Sequence, residues 1–358
     1  MKSIRQTSLL YIFFFGLLST ACKKEEPSQT NSGFDQGILI TNEGLYNQTS
    51  GTISHYDPEQ QLVQNRIFKT TNQRDLGNVV QSINHFGEHT YIVVNNSNKI
   101  EWVNPQTFAE EGQLLQLQQP RYISPINDSL AYISQWGNDL LSGSIAIFNY
   151  QIGEQVGQIE GLGKGPERLL PYNNMVFVCL VGGLDTDQRL AIINSQTHQI
   201  DQYITVDDAP NSLQLDQNGL LWVACSGKAV YSNYPQIDTA NSTMGSLIAI
   251  NPNSKQIVHQ LNLAKGQGAK QLIRNANGSQ LFFIHKNAIY LLDPNQPSIR
   301  EIKSGHYYGL GFDNENNILY AARYMGTESA WVDRLSSPNF ILQDSFRAGI
   351  FANDFHFQ

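Results

Sequence analysis

The side chains in this sequence best placed for chemistry are suited to holding a molecule rather than cutting one. Tyr46, Trp136, Tyr231, Tyr234 and Tyr324 sit in polar stretches between apolar runs, and Arg121, Arg168, His306, Tyr307 and Arg323 lie at or beside the ends of such runs. An aromatic ring with a polar tip offers a large rigid face and one hydrogen bond, while a guanidinium meets carboxylates, amides and phosphates. Carried on loops over a rigid frame, these residues would form a ligand platform, with Trp136, Tyr231 and Tyr324 as its first expected contacts. Any one loop tyrosine is more simply a cover for the strand end beneath it. The accumulation suggests a site.

Bond-making chemistry has little support. The sequence contains no H-E-x-x-H, no paired C-x-x-C and no G-x-S-x-G, which removes the common metalloprotease, zinc-ribbon and serine-hydrolase readings. Its eight histidines are scattered, and His85, His259, His285 and His356 fall in or beside predicted strands as packing or surface residues. The run Asp313 to Asn317 looks like a calcium loop but lacks the glycine and the distal glutamate, so it reads as a hairpin turn. Gly161 to Gly165 joins two strands and opens no helix, which makes it a poor phosphate cradle. No metal, no intrinsic cofactor and no enzymatic activity are expected.

The elements that must position these residues are short strands in a repeating order. From Pro210 to Leu263 four can be read: Asn211 to Leu215 (A), Leu220 to Cys225 (B), Ser246 to Asn251 (C) and Gln256 to Leu263 (D). Strand C with its closing polar residue recurs at Ile53 to Asp57, Ile100 to Asn104, Ser144 to Asn149, Leu190 to Asn194, Ala288 to Asp293 and Ala330 to Asp333. The A strands, through Ile83, Ile123, Leu169, Leu213, Leu272, Leu310 and Phe355, are spaced by 38 to 59 residues. Four strands per unit at this period make an all-β, seven-bladed β-propeller. The first unit opens at strand B, Gly37 to Thr41, and Ala352 to Phe357 resembles Pro210 to Leu215. The C-terminal strand is therefore expected to complete blade 1 and close the ring, removing the open sheet edges.

Strand direction sorts the connections onto two faces. The A–B and C–D turns share a face with compact turn chemistry, whereas the B–C and D–A connections share the other. The second face carries Glu43 to Ser50, Gln135 to Leu141, Gly182 to Gln188, the long Ser226 to Gly245, and Tyr324 to Ser329, hence the aromatic residues named above. The A strands are expected to place mostly apolar or neutral side chains in the central channel.

Net charge is −8 over 358 residues, and −10 without residues 1–21, which hold Lys2 and Arg5 and no acids. That balance argues against nucleic acid and against simple adhesion to an anionic membrane. Cys179 and Cys225 end equivalent B strands and are expected to pack rather than pair.

At the N-terminus, Lys2 and Arg5 precede the apolar run Leu9 to Leu18, then Ser19-Thr20-Ala21 and Cys22. At about 1.5 Å per residue this run is too short to span roughly 30 Å of hydrocarbon, so it reads as a secretion signal. Cys22 after Ala21 resembles a lipobox, although Ser19 stands where leucine is usual; acylation of the Cys22 thiol would anchor the mature chain. The expected organisation is a signal peptide over 1–21, a lipidated cysteine and tether over 22–36, and the propeller over 37–358.

Leu18 to Glu26, the opening Ile38 to Gly44, the strand Gly51 to Pro58 and the closing Asn353 to Phe357 together resemble the YncE-like propeller lipoproteins of Bacteroidota. Within that group the chain is similar to the BtuG-type proteins. The resemblance covers the mature chain and specifies fold better than ligand. It implies an outer-membrane, surface-exposed lipoprotein that captures a small-molecule nutrient, a corrinoid such as cobalamin, and passes it to a TonB-dependent transporter. Aromatic residues would pack on the macrocycle edge while Asn, Gln and Arg meet its amides and phosphate. Two other classes stay open: a surface propeller that binds protein or glycan, and a propeller lactonase or related hydrolase.

Overall fold

Alternation within single strands dictates the architecture. In Met175–Leu180, Val176, Val178 and Leu180 pack to one side of the sheet while Phe177 and Cys179 pack to the other, and all five are fully buried. A strand apolar on both faces must lie between two other layers. Blades arranged around an axis supply those layers.

The computed structural model describes residues 33–358. They form seven four-stranded antiparallel sheets and one additional two-stranded hairpin. In blade 4 the order from the axis outward is Pro166–Tyr172, Met175–Leu180, Arg189–Asn194 and Gln199–Thr205, strands A to D. Each innermost strand touches the innermost strand of the next blade, all the way round. The hydrophobic core is correspondingly divided into seven clusters, each filling the gap between two neighbouring blades. The fold is a seven-bladed β-propeller.

Closure takes the expected form. Ala352–Phe357 pairs antiparallel with Ile38–Asn42, matching Ile38 with Phe357 and Ile40 with Phe355, and supplies strand A of blade 1. The polar residue that closes strand C also proves to have a mechanism. Asp57, Asn104, Asn194 and Asn251 each accept two backbone N–H bonds from the turn that follows, and Asn149 and Asp293 accept one. These side chains hold the C–D turns in place of a backbone bond. Asp313 does the same in an A–B turn, accepting from Glu315 and Asn316, so the stretch resembling a calcium loop is a turn.

Blade 7 departs from the expected pattern. Its strand C runs over Ser329–Ser336, and Asp333 lies inside it rather than at its end. Fully buried there, the Asp333 carboxylate accepts from Arg323 (2.9 and 2.6 Å), Tyr307 (3.0 Å) and Ser345 (2.6 Å). A carboxylate with this many donors can sit in a strand interior, where an unpaired one could not. A short helix, Ile67–Asn72, fills the connection from blade 1 to blade 2 and buries Ile67 and Phe68 in the cluster between them. Cys179 and Cys225 are free thiols packed in one cluster between blades 4 and 5. The signal peptide, Cys22 and the tether as far as residue 32 lie outside the described residues.

Candidate ligand-binding site

Pairing between strands A and B slips at the same level in all seven blades. The shifts fall at Val80/Ser82, Pro120/Ile123, Pro166/Leu169, Pro210/Ser212, Lys270/Ile273 and Tyr307/Gly309, and in blade 1 opposite Ile40/Asn42. A bulge leaves an extra residue unpaired and turns its side chain away from the pleat. Here the residues caught in the slips include Gln81, Arg121, Tyr122, Glu167, Arg168, Asn211, Gln271, Tyr308, Asn353 and Asp354. All but Asp354 line a cavity of about 760 Å³ at the mouth where the B–C and D–A connections gather. The residue just before strand A has a left-handed backbone in five blades: Val79 (φ 59°), Gln119, Gly165, Ala209 and Phe351. For β-branched Val79 that conformation is strained by about 1–3 kcal/mol, and the surrounding ring must hold it.

The cavity floor is a charged brace across the channel. Arg168 of blade 4 donates to Asp354 of blade 1 at 2.9 Å and to Gln271 of blade 6 at 3.2 Å, and its guanidinium lies 4.4 Å from the Tyr122 ring centre of blade 3. Gln271 donates to Asn353 at 2.6 Å, and Asn353 donates to the Gln81 carbonyl at 3.0 Å. Beside this brace, Arg121 donates to Glu167 at 2.9 Å and stacks 4.4 Å from the Trp136 ring centre. Buried Trp136 Nε1 points toward Glu167 without reaching hydrogen-bond geometry.

Most strand A residues on the lining are neutral, as the sequence leads one to expect, but Arg121, Glu167, Arg168 and Lys270 add a charged group that the expectation did not place in the channel. Strand A alternates as expected from its third or fourth residue onward, but the bulges turn the first polar pair inward. Charge at that depth is tolerable because each guanidinium has a carboxylate and an aromatic face.

Glu43 closes the wall on the blade 1 side. Its carboxylate accepts from Tyr308 Oη at 2.9 Å. Burial pushes its pKa up to about 7, against the opposing pull of Arg121 and of the Tyr308 hydrogen bond. On the blade 6 side stand Lys270 and Lys286, with His306 and Gln267 nearby on the lining. Water reaches Lys270 through the open mouth, yet the walls around it still lower its pKa by desolvation.

Of the residues singled out in the sequence, Trp136, Tyr231, Tyr234, Tyr307, Tyr324, Arg121, Arg168 and His306 line this cavity. Tyr231 and Tyr234 stand on a hairpin, Tyr231–Asn233 with Gln236–Ile237, that rises from the long blade 5 loop. Their rings are 5.3 Å apart, and Tyr234 is 82% exposed. Tyr46 and Arg323 are not on the lining. Tyr46 projects into solvent from the blade 1 loop, and Arg323 is held within blade 7 by Asp333. Glu43, Tyr122, Glu167, Lys270, Tyr308 and Asn353 were not anticipated.

Comparison with known proteins agrees with this architecture. Residues 36–248, more than half of the chain, match a family model described as Domain of unknown function (DUF5074). The chain belongs to the DUF5074 family. No curated protein matches it. Among solved structures, the DUF5074 chain is similar to a quinonprotein alcohol dehydrogenase-like protein from Bacteroides thetaiotaomicron, with a TM-score of 0.66 at 11% identity over 91% of this chain and 79% of that one. It is also similar to candidate 6-phosphogluconolactonases from Bacteroides uniformis (TM-score 0.65, 12% identity, 90% and 100% covered) and Bacteroides fragilis (0.64, 12%, 93% and 100%). At such identities these likenesses show the fold alone.

Proposed function

We propose that this DUF5074 chain captures a small-molecule nutrient in the bulge-lined cavity and passes it to a TonB-dependent outer-membrane transporter, acting as a lipoprotein anchored through Cys22 at the cell surface. The observation that carries this reading is that the charged floor is paired within the protein itself. Arg121 with Glu167 and Arg168 with Asp354 build a rigid cup rather than a set of groups poised to react. Pre-formed cavities of this size, with aromatic walls and a few fixed polar groups, are typical small-molecule sites.

The proposed ligand is a corrinoid such as cobalamin, which comes from the family resemblance. Its support here is chemical. Gln81, Asn211, Gln267, Gln271, Asn287 and Asn353 line the cavity with amides, and Trp136, Tyr231, Tyr234 and Tyr324 offer ring faces at the mouth. The test is a spectral titration of the purified full-length protein with cyanocobalamin and then with ferric siderophores. Saturable corrinoid shifts are expected, and a flat response to both compounds removes the capture reading.

One observation favours a second reading. Tyr46, Leu184, Tyr234 and Tyr324, from four different blades, are exposed around the same mouth, at 62%, 72%, 82% and 47%. An apolar crown of this kind also suits a protein or glycan partner. Binding to such a partner in the absence of any small molecule would favour that alternative. A hydrolase reading rests only on fold likeness and ranks last.

A further inference from the structure

Charge on the cavity lining is unevenly matched. Four basic residues, Arg121, Arg168, Lys270 and Lys286, face two acidic ones, Glu43 and Glu167. Both arginines have carboxylate partners, Glu167 for Arg121 and Asp354 for Arg168, the latter just below the lining. Glu43 is engaged by Tyr308. What remains is a pair of lysines, both from blade 6, that make no salt bridge among the described residues.

Their position is fixed by the fold. Lys270 opens strand A at the bulge, paired in register with Ile284 of strand B, and Lys286 follows at the turn after strand B. The bulge that turns Gln271 into the floor brace leaves Lys270 one residue above it on the wall. An ammonium in a concave site loses hydration, and desolvation disfavours its charge. In a chain of net charge −8, the two lysines are thus the charged side chains of this lining, among the described residues, that have neither an ion pair nor a side-chain hydrogen bond.

We propose that the ligand of this cavity carries an anionic group, a phosphate or a carboxylate, and that Lys270 receives it with Lys286 at its side. The inference rests on the small-molecule capture reading and narrows its ligand class. It does not depend on the ligand being a corrinoid. The anion would restore to Lys270 the charge partner that each arginine already has, while the amides of Gln267 and Asn287 on the same lining offer it N–H donors.

The test is isothermal calorimetry of the full-length protein with inorganic phosphate and, separately, with citrate, using the wild type, Lys270→Gln, Lys270→Arg and Lys286→Gln. We expect saturable binding of at least one anion, weakened at least tenfold in Lys270→Gln, about threefold in Lys286→Gln and least in Lys270→Arg. Which of the two anions binds decides between phosphate and carboxylate. Melting temperatures without anion should agree among the four proteins, so that loss of binding is not loss of fold. Absence of binding by either anion, or equal binding by wild type and Lys270→Gln, overturns the proposal. A parallel cyanocobalamin titration separates the two claims. Anion binding without corrinoid binding rejects the corrinoid alone, whereas corrinoid binding unchanged by Lys270→Gln rejects the anion site alone.

Discussion

Arg168 and Asp354 come from blades on opposite sides of the ring, yet their side chains meet at 2.9 Å in the middle of the channel. Both are largely buried, and the Asp354 carboxylate also accepts from the Ile83 backbone N–H at 3.3 Å. The pair thus joins blades 1, 2 and 4, which share no common sheet.

Removing one partner should be worse than removing both. Asp354→Ala leaves the Arg168 charge buried and unpaired, and a loss of about 3–5 kcal/mol in unfolding free energy is expected. The double variant Arg168→Met/Asp354→Leu should recover at least half of that loss. Urea unfolding measures both, and a double variant no more stable than the single one would show that the brace is not a coupled pair.

Glu43 should make stability fall as pH rises. Its folded pKa of about 7 lies above the ordinary value of 4.5, so the native state holds this proton more tightly than the unfolded chain. The contribution is therefore flat below about pH 4.5, declines between 4.5 and 7, and is flat again above, a difference of up to about 3 kcal/mol. Glu43→Gln carries no such proton. Its stability relative to wild type should rise through that window, and parallel pH curves for the two proteins would contradict the assignment.

Ring closure rests on the last strand. Deleting residues 350–358 removes strand A of blade 1, exposes the edge of Ile38–Asn42, opens the cluster between blades 7 and 1 and removes the contact with the innermost strand of blade 2. The truncated chain is expected to be insoluble on expression. A soluble product with an unchanged melting temperature would mean that closure is dispensable.

Trp136 and Tyr231 stand on different blades of the same mouth, so their joint replacement by alanine should weaken cyanocobalamin binding on the order of 10- to 100-fold. Trp136→Ala also bares one face of Arg121, so the melting temperature must be measured alongside. Unchanged affinity would move the ligand away from the mouth.

The fold was legible because burial on both sides of strands B and C writes an uninterrupted apolar run, and because a turn-closing Asp or Asn follows most strand C copies. Asp333 fitted that pattern by residue type while serving another purpose, since nothing local distinguishes a turn acceptor from a carboxylate that will meet Arg323 and Tyr307 across the blade. The aromatic part of the site was legible from loop length and composition. Its charged part was not, because period-two alternation gives no warning of a bulge. The signal that could have found it is the repeated shape of the strand starts: Pro120-Arg121-Tyr122-Ile123, Pro166-Glu167-Arg168-Leu169, Pro210-Asn211-Ser212-Leu213 and Ala352-Asn353-Asp354-Phe355. In each, two polar residues stand between a small or cyclic residue and the first apolar anchor, at the level where the pairing slips.

Seven slips at one level also separate what the protein can change from what it must keep. The inter-blade clusters are made mainly by residues of the regular pairing, whereas the floor of the cup is made largely by residues that the pairing skips over. Substitution at Gln81 or Asn211 alters the chemistry offered to a guest without asking any apolar neighbour to repack. Outside the Arg121–Glu167 pair and the brace that joins Arg168, Asp354, Gln271 and Asn353, the ring behaves as a socket with exchangeable contacts, and a lineage could retune its cargo one contact at a time while the frame stays constant.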